Sequence, residues 1–372
     1  MMITPMPAFS AARTVALAVE FEVALSRSLA ECDCCTNASA EAIVASTLEA
    51  PPEPGPMIEA ARHAGTLAIP LVAHMKAAAE RTLAGSADAV HKGATSQDVA
   101  DTVLVMQVRE ALGVLQPLAE QLARHLRDLA KTGEAIPMTG RTLLQPGEAI
   151  TFGYKAAQWL AGVADAQLRV EAEARRGLVL QLGGAVGTLA ALEGKGAAVA
   201  SALGRLLGLP VPVAPWHSRR GNLAAFGAAI GIYCGALGKL ANDIALLAQA
   251  EVSEAFEPRV EGRGGSSVMT YKRNATGCQQ ALTAIGPVAG LVTTLITQLP
   301  LEHERGLYGW QGTGEILSQM LERTHAALLA LLPVVAGLEI DHQQMIQAMG
   351  GRHDTGEAAR LTRAILDTFP GN

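Results

Sequence analysis

Aromatic residues are scarce in this chain, at only 3% of its 372 residues. Runs in which β-branched and aromatic residues alternate with polar ones are scarce as well, which argues against a sheet-based fold. Ala, Leu and Gly dominate instead, and hydrophobic residues reach 49%, which is enough for a large core. The composition therefore favours helices, in a chain long enough for two or three domains.

A basic face is also missing, since 29 Lys and Arg stand against 35 Asp and Glu, for a net charge of −6. We therefore expect no nucleic-acid partner. No basic segment followed by an apolar one opens the chain, so we expect no signal peptide and a cytoplasmic location. The most apolar stretches, from 223 and from 326, are interrupted before about 20 residues. We interpret them as buried bundle helices, with no membrane partner.

Cysteine is sparse, with five residues. Three of them, Cys32, Cys34 and Cys35, cluster near the N-terminus. This C-x-C-C spacing lacks the second pair or nearby His that a zinc site needs. Reduced thiols and no metal are therefore expected.

Apolar spacing predicts short, interrupted helices over residues 1–90 and longer ones beyond. Apolar residues recur every three or four positions from 104 to 129, which is typical of one long helix. Pro117 should kink that helix or be absorbed by its neighbours. Further helical runs cover 148–176, 223–255 and 280–299.

Residues 262–278 read GRGGSSVMTYKRNATGC. Four glycines make this segment a poor helix, and its first part is predicted to be a loop. It carries hydroxyl, cationic and amide groups of the kind that bind an anion and withdraw a proton. These groups belong to Ser266, Ser267, Lys272, Arg273 and Asn274. The alternative is a solvated loop between two helices.

Residues 91–102, HKGATSQDVADT, precede the long apolar run, so Thr95, Ser96 and Asp98 lie where a helix begins. Free N–H groups and the helix dipole favour an anion there, although a plain cap has the same residues. Residues 138–152, MTGRTLLQPGEAITF, read as a break between helices with Arg141, Thr142 and Gln145 as its polar groups.

Three further segments carry recognisable patterns, LQLGGAVGT at 180–188, PWHSRR at 215–220 and EHERGLYGW at 302–310. The first is glycine-rich but lacks the order of a nucleotide-binding loop. His217 of the second is either catalytic or structural. Solvated surface charge is the alternative for Arg220, His303 and Arg305.

In order, these segments resemble the signatures of the fumarase/aspartase superfamily, which includes fumarase, aspartase, argininosuccinate and adenylosuccinate lyases, and bacterial 3-carboxy-cis,cis-muconate cycloisomerase. GSSVMTYKRN resembles G-S-S-x-M-P-x-K-x-N-P, and HKGATSQDVADT resembles H-x-G-A-T-S-Q-D-x-x-D-T. GRTLLQ resembles G-R-T-x-x-Q. PWHSRR resembles P-W-H-[ST]-x-R-D. The similarity to the cycloisomerase branch is particularly close in three places: the TSQD of residues 95–98, LQLGGAVGT and EHERGLYGW.

The resemblance implies an all-α fold, organised as a small N-terminal helical domain (1–90), a central long-helix bundle carrying the signature loops (91–325) and a shortened C-terminal helical region (326–372). It implies a homotetramer whose active sites are shared between subunits, and no metal or organic cofactor. Ser266 would be the catalytic base, assisted by Lys272 and His91. The implied substrate-binding residues are Thr95, Ser96, Arg141, Gln145, Arg220, Ser267, Arg273, Asn274, His303 and Arg305.

The expected activity is conversion of 3-carboxy-cis,cis-muconate to a carboxymuconolactone by proton transfer next to a carboxylate. The alternatives are a β-elimination lyase acting on another succinyl-type or polycarboxylate substrate, and a non-catalytic scaffold relative. The chain departs from the family pattern at six positions, of which Leu143 and Pro146 leave the general acid unassigned. The six are Lys92 (usually Trp), Leu143 and Pro146 (each His in some relatives), Gly221 (usually Asp), and Thr270 and Ala275 (each usually Pro).

Overall fold

The computed structural model describes residues 3–260, 264 and 272–370, and within them most of the regular structure is helical. The predicted all-α class is confirmed. The helices are α1 (Ala11–Glu31), α2 (Asn37–Glu49), α3 (Pro54–Ala64), α4 (Ala68–Thr82), α5 (Ser96–Thr132), α6 (Phe152–Gly177), α7 (Gly196–Leu207), α8 (Gly221–Leu247), α9 (Thr276–Ile285), α10 (Val288–Thr297), α11 (Thr313–Ala336), α12 (His342–Ala348) and α13 (Ala358–Thr368). Two small antiparallel pairs join β1 (Pro137–Thr142) to β2 (Gln145–Thr151), and β3 (Ala255–Phe256) to β4 (Glu339–Ile340).

The centre of the molecule is a bundle in which α5, α6, α8, the α9–α10 pair and α11 run alternately up and down. At one end, Trp159 Nε1 near the start of α6 donates to Asp243 Oδ2 near the end of α8, at 2.7 Å. At the other end, Asn222 Nδ2 in α8 donates to the Arg176 carbonyl in α6, at 3.3 Å. Because neighbouring helices are antiparallel, the end of one lies beside the start of the next. The loops that join them therefore gather at the two ends of the bundle.

Helix α5 confirms the long apolar stripe that its sequence predicts. Leu122 and Leu126 are fully buried, and Leu115 nearly so. Pro117 lies inside the helix without ending it, because its side chain faces solvent and the flanking stripe packs against the bundle.

Four helices, α1 to α4, form a small N-terminal layer against the bundle. Ser10 caps α1 by accepting a hydrogen bond from the Arg13 amide, which satisfies one of the free N–H groups of the first turn. The Arg13 Nε donates to Glu110 in α5 at 3.0 Å. This contact ties the layer to the bundle.

Two details differ from the sequence-based expectations. Residues 138–152 form a β-hairpin, not an irregular loop. The run 280–299 is two helices, because Pro287 lacks the amide that would continue α9.

By length and composition alone, two described segments are apolar enough to cross a membrane, Gly221–Leu247 and Thr276–Thr297. The apolar stretch of the first is 61% buried inside the protein, as expected for a core helix. That of the second, which spans α9 and α10, is only 22% buried. The second segment therefore presents an apolar surface that this chain alone does not cover.

Candidate active site

Asp98, in the first turn of α5, is the centre of a buried network at one end of the bundle. Its carboxylate is fully buried and accepts four hydrogen bonds. Oδ1 lies 2.9 Å from the Gly183 amide and 2.7 Å from His217 Nε2. Oδ2 accepts from the amides of Thr95 and Gly184, each at 2.9 Å. Asp98 thus fixes the helix start, the glycine-rich turn and His217 in one arrangement.

The two glycines are required at this junction. A side chain on Gly183 would meet His217 Cε1 and Pro215 Cβ at 2.7 Å. Gly184 has φ +68° and lies against the Gly93 carbonyl, a conformation that other residues adopt at a cost. The segment 180–188 therefore turns tightly enough for two consecutive amides to reach one carboxylate.

Arg220 joins a second buried carboxylate beside the first. Its Nη1 donates to Asp101 Oδ2 at 2.8 Å, and its guanidinium lies over the Trp216 ring, 5.3 Å from the centroid. Gln97 and Gln181 donate to the same Oδ2 at 3.2 Å. Arg220 is only 4% exposed, so it is positioned to hold this network together and has little access to solvent.

Polar groups also gather at the entry to α5. Arg305 Nη1 donates to the Thr95 hydroxyl at 2.7 Å, while its buried Nε has no hydrogen-bond partner among the described residues. His91, held at φ +62°, places Nδ1 2.6 Å from Oε1 of the buried Glu22. These contacts orient a guanidinium and an imidazole beside a helix N-terminus, where an anion is stabilised.

Two other predicted residues belong to this end. Ser96 is the first residue of α5 and is partly exposed, and His303 is exposed at φ +49°. Hence His91, Thr95, Ser96, Arg220, His303 and Arg305 lie at one end of the bundle.

The opposite end holds the hairpin residues. Arg141 in β1 forms two parallel hydrogen bonds with Glu254, both at 2.7 Å, and Glu254 is fully buried. This bidentate geometry fixes the plane of the guanidinium. Gln145 opens β2 and is exposed. Leu143 and Leu144 form the two-residue turn that joins β1 to β2. Both have positive φ, and their side chains are 96% and 74% exposed, respectively.

Lys155, in the second turn of α6, lies within the same group of charges. Burial is the main cause that lowers its pKa, and its interaction with Asp243 opposes that shift. Lys239, Arg141 and Glu254 also act on it. A lysine with a lowered pKa is a better proton acceptor at neutral pH than an ordinary one.

The described part of the 262–278 segment lies at this same end. Arg273 donates to the Glu257 carbonyl at 2.7 Å and to Glu339 at 2.8 Å. The Asn274 side chain donates to the Gly264 carbonyl at 3.1 Å. Lys272 is exposed and lines a cavity of about 200 Å³ that Arg273 and Asn274 also line. Ser266 and Ser267 lie outside the described residues.

The predicted site residues therefore fall into two groups that one chain does not bring together. The first group surrounds the start of α5. The second, with Arg141, Gln145, Lys272, Arg273 and Asn274, surrounds its end. A 37-residue helix is about 55 Å long at 1.5 Å per residue, far longer than a small substrate.

Sequence reasoning did not select Asp101, Glu254, Glu22 or Lys155 as site residues. For two of them, the sequence pattern did carry a signal. Glu22 stands in an otherwise apolar helical run, and Asp101 follows Asp98 by three positions and so lies on the same helix face. Nothing local indicates Glu254 as the partner of Arg141, 113 positions away.

The fold and these segments define a lyase. A family model described as "Lyase" matches residues 10–290, and the chain belongs to this family, within the fumarase/aspartase superfamily.

Among its relatives, the 3-carboxy-cis,cis-muconate cycloisomerase of Pseudomonas aeruginosa is 39% identical over 93% of this chain and 76% of that protein. The solved 3-carboxy-cis,cis-muconate lactonizing enzyme from Pseudomonas putida superposes with a TM-score of 0.86 at 34% identity, covering 99% of this chain and 86% of the solved one. The nitrosuccinate lyase of Streptomyces davaonensis is 34% identical over 96% of this chain and 78% of its own length.

Proposed function

We propose that this lyase converts 3-carboxy-cis,cis-muconate to a carboxymuconolactone. The observation that carries the proposal is the match of the chain, over most of its length, to relatives named for this reaction. The cationic groups at the two bundle ends suit a small polycarboxylate. Lys272 lines an open cavity at one end, and Arg305 lies beside the α5 N-terminus at the other.

In the proposed reaction, Ser266 transfers a proton at the carbon next to a carboxylate. Removal of such a proton places extra charge on the carboxylate, which fixed donors stabilise. We assign that role to Lys272, Asn274, Ser267 and the N-terminus of α5 with Thr95 and Ser96. A serine needs neighbouring positive charge to act as a base, and Lys272 and Arg273 supply it. In the lactonising direction a substrate carboxylate adds across a double bond, and the neighbouring carbon is protonated.

His91 is the candidate for proton transfer at the other end. Its Nδ1 faces Glu22, which orients the imidazole and leaves its other nitrogen for substrate. The remaining predicted residues, Arg141, Gln145, Arg220, His303 and Arg305, are assigned to substrate binding, with Arg141 and Arg220 each oriented by a buried carboxylate.

We further propose that the active site is completed between copies of the chain in a homotetramer. The separation of the two groups of described residues by about 55 Å supports a site to which a neighbouring subunit supplies one of them. The poorly covered apolar surface of α9 and α10 supports such packing, since burying it is favourable. The proposal also includes a cytoplasmic location and a division of the chain into regions 1–90, 91–325 and 326–372.

A second candidate function is β-elimination on another succinyl-type or polycarboxylate substrate. Leu143, Pro146 and Gly221 stand where related enzymes carry His or Asp, and Leu143 is exposed at the hairpin tip beside Arg141. The similarity of this chain to a nitrosuccinate lyase also supports this alternative.

Product analysis separates the two functions. Purified protein is incubated with 3-carboxy-cis,cis-muconate, and the products are identified by proton NMR. A carboxymuconolactone supports the cycloisomerase. Unchanged substrate, with fumarate or an analogue released from succinyl-type compounds, supports the elimination lyase.

Subunit mixing tests the shared site. Ser266→Ala and His91→Ala variants, each impaired alone, are mixed under conditions that exchange subunits. Recovery of activity is expected, because a mixed assembly contains sites with both groups intact. If exchange occurs without recovery, Ser266 and His91 of one site come from the same chain.

A further inference from the structure

A second cavity lies in the middle of the bundle, between α5, α6, α8 and α11. It has a volume of about 300 Å³ and is lined mainly by apolar side chains, among them Leu115, Val170, Ile230 and Leu328. Leu115 is 19 positions from Ser96, or about 28 Å along α5. The cavity is therefore separate from both groups of site residues.

Small side chains explain why the helices leave this space. Ala119 on α5 and Ala174 on α6 both line the cavity, where larger residues would fill it. An empty space of this kind forfeits van der Waals contacts that a close-packed core makes. An occupant would restore them.

Tyr233 on α8 gives the cavity a polar group at depth. The residue is 4% exposed, and its hydroxyl has no hydrogen-bond partner among the described residues. A tyrosine hydroxyl is a neutral donor at physiological pH, and burial raises the pKa of this one further. A buried donor without an acceptor is costly.

Several other polar groups of the lining have hydrogen-bond partners of their own. Thr324 donates to the Met320 carbonyl at 2.8 Å, and Gln167 donates to Glu171 at 3.2 Å. Gln116, on the exposed rim, donates to Glu120 at 2.9 Å. Arg175 also lines the cavity but is exposed, so it lies at the opening. Deeper inside, an occupant meets apolar walls and the Tyr233 hydroxyl.

The geometry points to a binding site for a small, neutral aromatic molecule whose carbonyl or similar oxygen accepts a hydrogen bond from the Tyr233 hydroxyl. A dry cavity of about 150 Å³ is enough for benzene, so this one has room for a ring with a short substituent. A charged ligand is disfavoured because the apolar walls would strip its hydration.

The test uses two probes that differ only at the acceptor, acetophenone and ethylbenzene. Binding to the full-length protein is measured by ligand-observed NMR and by the rise in melting temperature that ligation produces. Both probes should bind the parent protein. Tyr233→Phe should weaken acetophenone by about 3- to 10-fold, the range of one hydrogen bond, and change ethylbenzene less than twofold.

A filled cavity provides the second comparison. Ala119→Leu should abolish binding of both probes, and Ala174→Leu, on α6, replaces it if the first variant does not fold. Absence of binding of both probes to the parent protein at millimolar concentration would overturn the proposal. So would an equal loss for both probes in Tyr233→Phe, or binding that survives in the filled variant.

Discussion

His217 Nε2 lies 2.7 Å from Asp98 Oδ1, across 119 positions of sequence. The same carboxylate accepts the amides of Thr95, Gly183 and Gly184. One buried side chain therefore positions three segments that the sequence shares with its family. The order of this end of the bundle therefore depends on a fully buried carboxylate.

Replacing Asp98 with Asn should destabilise the protein by about 2–4 kcal/mol. Asn has one acceptor oxygen, and its amino group would face donors that now reach the carboxylate, leaving them buried without partners. Urea unfolding followed by circular dichroism measures the loss. Asp128→Asn, at an exposed position of the same helix, should change stability by less than about 0.5 kcal/mol. Similar small effects for both variants would contradict the role of Asp98.

Arg141→Met should cost about 3 kcal/mol of stability, because it leaves the fully buried Glu254 without its partner. Adding Glu254→Gln to Arg141→Met should recover much of this loss by removing the stranded charge. The surface pair of Arg169 with Asp165, more than half exposed on both sides, provides the control. Arg169→Met should cost less than about 1 kcal/mol. Equal losses for the two arginine variants in urea unfolding would contradict this account.

The hairpin tip should become more stable when its leucines are replaced by a favourable turn sequence. Leu143 and Leu144 both have positive φ, which costs a side-chain-bearing residue roughly 1–2 kcal/mol, whereas Asn-Gly suits this two-residue turn. Leu143→Asn combined with Leu144→Gly should raise stability by roughly 1–2 kcal/mol. Thermal unfolding of the variant at the same pH and concentration measures the change. A lower melting temperature would mean that contacts of these leucines outweigh their strain.

Acidification should destabilise the fold in part through His325 in α11. Burial lowers the pKa of His325 below 6.5, so between 6.5 and that lower value the unfolded chain binds more protons than the folded one. The stability present above pH 6.5 is therefore lost as the pH falls. Between pH 7.5 and 5.5, the urea midpoint should fall less for His325→Gln than for the parent protein. The exposed His63→Gln serves as control and should retain the parental difference. An unchanged pH dependence in His325→Gln would exclude this contribution.

The sequence predicts the helices far better than it predicts the pairs that hold the site residues. The α5 stripe and its start at Thr95 follow from a 3.6-residue period and from cap chemistry, both of which are local. The hairpin is missed because Leu143-Leu144 carries no turn signal and nearby Gly and Pro suggest an irregular break. The partner of Arg220 is Asp101, 119 positions away, and no short-range pattern encodes such a pair.

The most direct test of the proposed activity is the ultraviolet absorbance of 3-carboxy-cis,cis-muconate mixed with the purified protein. The parent protein and an exposed-serine control, Ser201→Ala, should both remove the diene absorbance. Ser266→Ala should lower kcat about 100-fold or more, on the scale of losing a general base. No loss of absorbance with the parent protein would contradict the proposed substrate, and an equal rate with Ser266→Ala would contradict the proposed base.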